Sequence, residues 1–389
     1  MTDQPKILIV DDQPLNIEYL EQELEDLNYL TISAANGVEA IERVRDELPD
    51  MILLDIMMPV MDGFEALKHL KAEPAWRDIP VVIISAMADL ESVIKGIELG
   101  ADDYLPKPFN PTLLSARLKS GLARKRLLDM EKMYRQSLER ELEIGHQIQA
   151  GFLPDELPEV PGWEMAAHFQ AAREVAGDFY DIFPLADDKL GVFVGDVADK
   201  GVGAALFMAL YRSLLRAFMN AGDYLSEGQT LENPANLLLE TVTRTNRYVC
   251  QTHVSALFAT LFIAVIDSQS GRLSFINAGQ EPPLILQDGH PRQVLTPTGP
   301  GLGILEELDY HAGETVIASG ELLLVHSDGV KDTQDNSGAF FGGKRLSDLV
   351  IQPAASASEL VERISANLAS FRGDSPPYDD VTILAIKRQ

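Results

Sequence analysis

Five short aliphatic runs, Ile7 to Val10, Tyr29 to Ser33, Met51 to Leu54, Val81 to Ile84 and Tyr104 to Leu105, alternate with stretches of helical spacing. No other feature constrains the first third of the chain as tightly. Strands that alternate with helices pair in parallel, and the helices then cover both faces of a doubly wound five-stranded sheet. Ligands of such α/β sheets gather beyond the carboxyl ends of the strands. The residues just past the runs are therefore the ones expected to meet: Asp11 and Asp12 after the first, Asp55 after the third, Ser85 after the fourth and Lys107 after the fifth.

Three carboxylates at one sheet edge cannot all stay ionised and close together without a cation, and an oxygen-only ligand set favours Mg²⁺, which keeps waters and leaves room for a phosphate. Lys107 and the Ser85 hydroxyl supply the cation and the hydrogen bond that a phosphoryl group on one carboxylate would need. The strings ILIVDD, LLDIMMPVMDG, IISA and ADDYLPKPF resemble the receiver domain of two-component response regulators, over residues 1 to 120. That resemblance implies Asp55 as the acceptor of a phosphoryl group from a sensor histidine kinase, with Asp11, Asp12 and Asp55 holding Mg²⁺. It further implies Ser85 as the switch hydroxyl, Tyr104 as the switch aromatic, Lys107 as the contact to the acyl phosphate, and a cis Lys107-Pro108 bond, an isomer that proline alone makes accessible.

From Pro111, a good first helical residue, the chain runs to Phe152 without another proline. Met130, Tyr134, Leu138 and Leu142, continued by Ile144 and Ile148, form an apolar stripe among charged residues. The spacing predicts a long amphipathic helical linker over 121 to 155. Either this helix packs on its own domain or it pairs in a coiled coil that makes a homodimer; Lys125, Arg126 and Glu131 interrupt a strict heptad.

Beyond it, over 156 to 389, the pattern changes to strand-like runs in series: Leu190 to Val194, Ala259 to Ile266, Leu273 to Ile276, Leu284 to Leu286, Glu321 to His326 and Thr382 to Ile386. Two helical blocks interrupt them, Ala204 to Asn220 and Asn233 to Val249. Such an order describes a layered α+β domain with two packed sheets flanked by helices. Asp178, Asp196, Asp328 and Asp379 each stand in a turn beside one of the apolar runs, as a hard-metal site assembled from several strand ends requires.

The motifs EVAGDFYD, VGDVADKGVGAAL, INAGQEPPLIL, LLLVHSDGVKD and YDDVTILAI together resemble the metal-dependent PPM-type serine/threonine phosphatases (protein phosphatase 2C-like), in the sporulation-IIE-like branch. By that resemblance Asp196 bridges two Mn²⁺ or Mg²⁺ ions, the Val197 carbonyl is a further ligand, Asp328 and Asp379 complete the shell of one ion, and Asp178 binds on the other side. Asp380, next to Asp379, has the same chemistry and leaves that assignment open. Two such cations about 3.5–4 Å apart can activate a bridging water and stabilise an in-line displacement at phosphorus. The chain departs from the pattern at Ala176, at Ala198-Asp199 and at Gln280, none of them a candidate metal ligand. The expected substrate is a phosphoserine or phosphothreonine protein of the anti-sigma-factor antagonist type. The alternative is a phosphatase-like adaptor without catalysis, whose client binding the receiver gates.

Charge and sulfur narrow the partners. Sixty Asp and Glu against 32 Lys and Arg give a formal charge of −28, a field that repels nucleic acid. One cysteine, Cys250, excludes an intramolecular disulfide and a thiolate metal cage, and is expected to be a buried inert thiol. The amino terminus shows no secretory signal, and the longest apolar run, around Ala256 to Ile266, is too short to cross a bilayer as a helix, so no membrane contact and a cytoplasmic location are expected.

Overall fold

The computed structural model describes residues 4–86, 90–224, 233–252 and 257–389; the first three residues and Ala256 of the apolar run lie outside that set. The chain divides into two compact units, Met1–Glu139 and Arg140–Gln389.

The first unit runs β1 (Lys6–Val10), α1 (Pro14–Asp26), β2 (Leu30–Ala34), α2 (Gly37–Glu47), β3 (Met51–Asp55), α3 (Gly63–Ala72), β4 (Val81–Ala86), α4 (Leu90–Glu98) and β5 (Asp103–Lys107), followed by the 40-residue α5 (Pro111–Ala150). Its strands form one parallel sheet in the order β2-β1-β3-β4-β5, the doubly wound topology expected. Leu8, Val10, Ile52 and Leu54 face a core with α2 and α3, whereas Ile7, Ile9 and Leu53 face one with α1 and the start of α5. Burial of both faces is why these strands read as unbroken apolar runs rather than as alternating ones. The strand order reverses at β1, so the carboxyl ends of β1 and β3 open into the crevice where Asp11, Asp12 and Asp55 sit.

The second unit contains β6 (Trp163–Gln170), β7 (Asp178–Leu185), β8 (Lys189–Val197), α6 (Val202–Tyr224), α7 (Pro234–Thr252), β9 (Ala259–Asp267), β10 (Arg272–Ala278), β11 (Leu284–Gln287), β12 (His290–Val294), β13 (Gly313–Val316), β14 (Leu322–His326), α8 (Gly329–Asp332), α9 (Gly342–Val350), α10 (Ala357–Arg372) and β15 (Val381–Arg388). Two antiparallel sheets result, β13-β10-β9-β8-β7 and β12-β11-β14-β15-β6. Tyr180, Ile182, Val192, Val194, Phe262 and Ala264 of one sheet pack on Ile285, Leu323, Val325, Leu384 and Ile386 of the other. Outside the first sheet, Phe179, Phe193 and Ile263 meet α6 and α7; outside the second, Leu324, Ile383 and Ala385 meet α9 and α10. The domain is thus four layers deep, helices on two packed sheets, as the sequence pattern predicts.

Period-two alternation sets these faces strand by strand. In β7, Phe179 and Phe183 point to the helices and lie opposite Gly195 and Gly191 of β8, where a Cβ would run into the phenyl rings. Helix α6 turns Ala204, Met208, Tyr211, Leu215 and Met219 to the sheet. Its segment Val202–Asn220 is long and apolar enough to cross a membrane by length and composition, yet this stripe belongs to the core of the unit. Cys250 is half-buried in α7, and burial, with Glu306 nearby, raises its thiol pKa, as suits an unreactive residue.

Candidate functional site

In the first unit the sheet brings Asp11, Asp12, Asp55 and Lys107 to one edge, while Tyr104 lies three residues before Lys107 in β5, level with Ile83 of β4. Asp11 is fully buried and Asp55 nearly so, while Asp12 is exposed, and each offers an oxygen within 4.8 Å of the others. Lys107 Nζ donates to Asp11 Oδ2 at 2.9 Å and to Asp55 Oδ2 at 2.7 Å. Burial raises the Asp55 pKa, against the pull of the Lys107 hydrogen bond and charge and with a further push from Asp11. The Lys107 ammonium is disfavoured by burial, but its bonds to Asp55 and Asp11 outweigh that and hold its pKa above the usual value. Ser85 is buried at the end of the neighbouring β4. Tyr104 is partly exposed under the Arg117 guanidinium, and the Lys107-Pro108 bond is cis.

In the second unit five carboxylates converge from both sheets. Asp178 opens β7 and pairs in register with Asp196 near the end of β8, so the sheet itself sets those two side by side. Asp328 follows β14 at the start of α8, and Asp379-Asp380 precede β15, the neighbour of β14. Two glycines let these segments close: a Cβ on Gly177 would stand 2.8 Å from the Val197 carbonyl oxygen, and one on Gly329 would overlap the carbonyl of Asp380.

The two adjacent aspartates have different surroundings. Asp380 is buried and takes the amides of Ala172 (2.7 Å) and Gly177 (2.6 Å), with that of Asp178 at 3.5 Å. Asp379 turns the other way, to Lys200 Nζ at 2.9 Å; the same ammonium donates to the Tyr378 carbonyl at 2.7 Å. Asp178 accepts from Thr382 Oγ1 at 2.6 Å, and the Ser327 hydroxyl accepts the Thr382 amide at 3.0 Å.

Burial raises the pKa of Asp178 strongly, and Asp196 and Asp380 add to it. Asp196 is pushed up to about 7, by burial first and then by Asp328, Asp379 and Asp380. Asp328 is raised in the same way, by burial and then Asp379. Carboxylates are thus crowded in a partly dry site with too little positive charge, and divalent cations bound by oxygen are what such a donor set fits. The oxygens of the Asp11, Asp12 and Asp55 triad close to the spacing of a single ion; the carboxylates of the second unit are more widely spread, and Asp196 and Asp328 line a cleft of 280 Å³ with Thr260, Gly279, Gln280, Glu281, Pro282 and Pro297.

Sequence reasoning did not single out Thr382, Ser327, Glu281 or Lys331, the last in ion-pair contact with Glu281. Their signal was position alone, each within four residues of a candidate ligand or of Gln280. The departures gain a physical reading. Asp199 has φ of 79°, in the left-handed region that glycine favours, and its carboxylate compensates by accepting the Lys200 amide at 2.8 Å. Gln280 is buried, accepting from Thr260 Oγ1 and donating to the His326 carbonyl at 3.3 Å.

Residues 7–119 match the response regulator receiver domain, and residues 186–389, just over half of the chain, match stage II sporulation protein E (SpoIIE). The chain belongs to the SpoIIE family. The SpoIIE match begins after Asp178, which the register of β7 on β8 nevertheless ties to the matched part. Protein IcfG of Synechocystis sp. is 33% identical over 395 residues, 98% of this chain and 58% of that protein. The probable transcriptional regulator ycf27 of Guillardia theta is 40% identical over 119 residues, 31% of this chain and 46% of that one. The chain therefore spans about half the length of the curated relatives it matches. The SiaA-PP2C domain of Pseudomonas aeruginosa superposes with a TM-score of 0.55 at 25% identity, covering 66% of this chain and 99% of that domain. This SpoIIE-family chain is thus a receiver joined by a long helix to a protein phosphatase domain of the PP2C type.

Proposed function

We propose that this SpoIIE-family chain is a response regulator in which phosphorylation of Asp55 by a sensor histidine kinase controls metal-dependent hydrolysis of phosphoserine or phosphothreonine on a partner protein. The observation that carries the catalytic half is the convergence of carboxylates from both sheets at one cleft, where burial first and the neighbouring Asp328, Asp379 and Asp380 second push Asp196 up to about 7. Asp196, with the Val197 carbonyl, Asp328, Asp379 and Asp178, would hold two Mn²⁺ or Mg²⁺ ions. Bound there, they supply a water activated for attack and charge to stabilise the phosphoryl transition state.

The rest falls to the chain itself. Asp380, engaged by the Ala172 and Gly177 amides, fixes the loop that carries Asp178 and leaves Asp379 as the carboxylate of the pair not tied to that loop. Thr382 orients Asp178, and Ser327 holds the Thr382 amide. Lys200 neutralises Asp379 at the rim. In the receiver, Asp11, Asp12 and Asp55 would hold Mg²⁺, Lys107 would follow the acyl phosphate, and Ser85 and Tyr104 would carry the switch. Exposed Leu127, Met130, Met133, Tyr134 and Leu138 on α5 support pairing of this helix in a homodimer. A small phosphoprotein of the anti-sigma-factor antagonist type is the substrate the family resemblance implies, and a cytoplasmic location follows from these partners.

The test is hydrolysis of a phosphoserine protein by the full chain, with and without Mn²⁺, before and after treatment with acetyl phosphate. Wild type is expected to turn over only with metal, Asp196→Asn to lose at least a hundredfold, and Asp55→Asn to lose the response to acetyl phosphate while keeping the basal rate. Absence of metal-dependent hydrolysis by wild type would leave the adaptor in its place.

A further inference from the structure

The mouth of the phosphatase cleft carries an ion pair that the candidate metal ligands do not explain. Lys331 lies in α8, three residues after Asp328, and its Nζ rests directly on the Glu281 carboxylate. Glu281 lines the cleft beside Asp196, Gln280 and Asp328, so the ammonium stands at the entrance to the acidic cluster. The two side chains are 31% and 26% exposed, and an ion pair so open to water adds little to folding stability.

Charge around this point is unbalanced. The pKa of Asp332, next in α8, is raised by burial first and then by Asp379 and Glu281, against the pull of Lys331 and Lys200. Lys200 is committed to Asp379 Oδ2 at 2.9 Å and to the Tyr378 carbonyl at 2.7 Å. Lys331 has Glu281 as its ion-pair partner among the described residues. In a chain of net charge −28, a dianionic phosphoester entering this cleft meets the carboxylates of Asp196, Asp328 and Glu281, with the Lys331 ammonium beside them and the Lys200 ammonium held on Asp379. A lysine ammonium is a mobile point charge on a four-carbon stem, able to exchange one oxyanion for another.

We infer that Lys331 is a specificity-determining residue of the phosphatase, its ammonium leaving Glu281 to bind a phosphoryl oxygen of the incoming phosphoserine or phosphothreonine dianion. Glu281 holds the lysine in place while the cleft is empty and repels the carboxylate side chains that would otherwise compete with phosphate. The inference rests on the phosphatase reading given above and adds the group that recognises the substrate's phosphate.

Steady-state hydrolysis of a phosphoserine peptide by the full chain with Mn²⁺ tests it, with inorganic phosphate as a competing ligand. Lys331→Met is expected to raise KM, and the inhibition constant of inorganic phosphate with it, by roughly tenfold while kcat stays within about twofold, the loss of one charge-assisted hydrogen bond. Lys331→Arg should restore most of both, and Glu281→Gln should lower both by freeing the lysine. An unchanged KM in a folded Lys331→Met protein overturns the inference and leaves the phosphatase reading standing. A raised KM with an unchanged phosphate inhibition constant also overturns it, because the contact would then be to the peptide. Wild type without metal-dependent hydrolysis removes the reading and this inference together.

Discussion

Replacing Gly329 by alanine tests whether the cleft depends on close approach of two chain segments rather than on its carboxylates alone. Gly329 opens the short helix α8 with a helical backbone that alanine adopts without strain, so the substitution acts through space and not through conformation. A Cβ there would overlap the carbonyl oxygen of Asp380, a backbone atom with no rotamer to escape into. Either α8, with Asp328, or the Asp379-Asp380 turn must withdraw by about 1 Å, a displacement that at a reacting centre costs on the order of a hundredfold in rate. The same overpacking should destabilise the second unit by about 1–3 kcal/mol. Gly203→Ala is the control: it lies in helix α6 and, among the described residues, its Cβ would meet only Leu257 Cδ1, at an ordinary 3.8 Å. The measurements are thermal unfolding, calorimetric titration with Mn²⁺ and phosphopeptide hydrolysis. Gly329→Ala should lose metal affinity and about two orders of magnitude in kcat/KM while remaining folded, and Gly203→Ala should match wild type. If Gly329→Ala bound Mn²⁺ and turned over within threefold of wild type, the segments would be slack and the reasoning wrong.

Three further outcomes follow from particular contacts. Asp380→Asn sets an amide against the Ala172 and Gly177 amides and should cost about 1.5–3 kcal/mol by thermal unfolding, whereas Asp379→Asn should leave stability at or above wild type and abolish metal-dependent turnover. Asp181, buried on β7 and paired with Arg212 at 2.8 Å and Arg216 at 2.7 Å, should on change to alanine strand the largely buried Arg212 cation and cost about 3–5 kcal/mol, a fall of roughly 10 °C in Tm. His168 on β6 is held neutral by burial, its pKa below the usual 6.5. The unfolded chain therefore binds more protons there, and stability is full above pH 6.5 and declines as pH falls below it. His168→Gln should flatten that acid limb in a Tm series between pH 7.5 and 5.5, and an unaltered slope would show that His168 does not contribute.

The parts of the fold that were legible are those with both faces covered. The central strands β1, β3, β9 and β15 carry apolar residues on both sides, and their runs stand out in the sequence. Edge strands β12 and β13 are mostly exposed, with polar residues on the water side, and gave no comparable signal. Strand β7 was hidden by Asp181 and Pro184, the first neutralised by arginines on α6 that nothing in the local sequence announces. Helix α10 was not among the helical blocks read from the sequence, although its start carries a capping box: Ser356 accepts the Glu359 amide at 2.9 Å, and the Glu359 carboxylate returns to the Ala355 amide at 2.7 Å.

The sequence by itself determined that two acidic centres exist and which turns carry them, because a strand end beside an apolar run is a local property of a dozen residues. It could not separate Asp379 from Asp380, two identical side chains on neighbouring residues. Tertiary structure separates them: amides from Ala172 and Gly177, some two hundred residues away, turn one inward, and Lys200 meets the other at the cleft. The pairing of Lys331 with Glu281, across a loop that passes between the two sheets, was decided in the same way. Hydrogen bonds and charges act over a few ångströms, and only the folded chain brings those distant residues within that range.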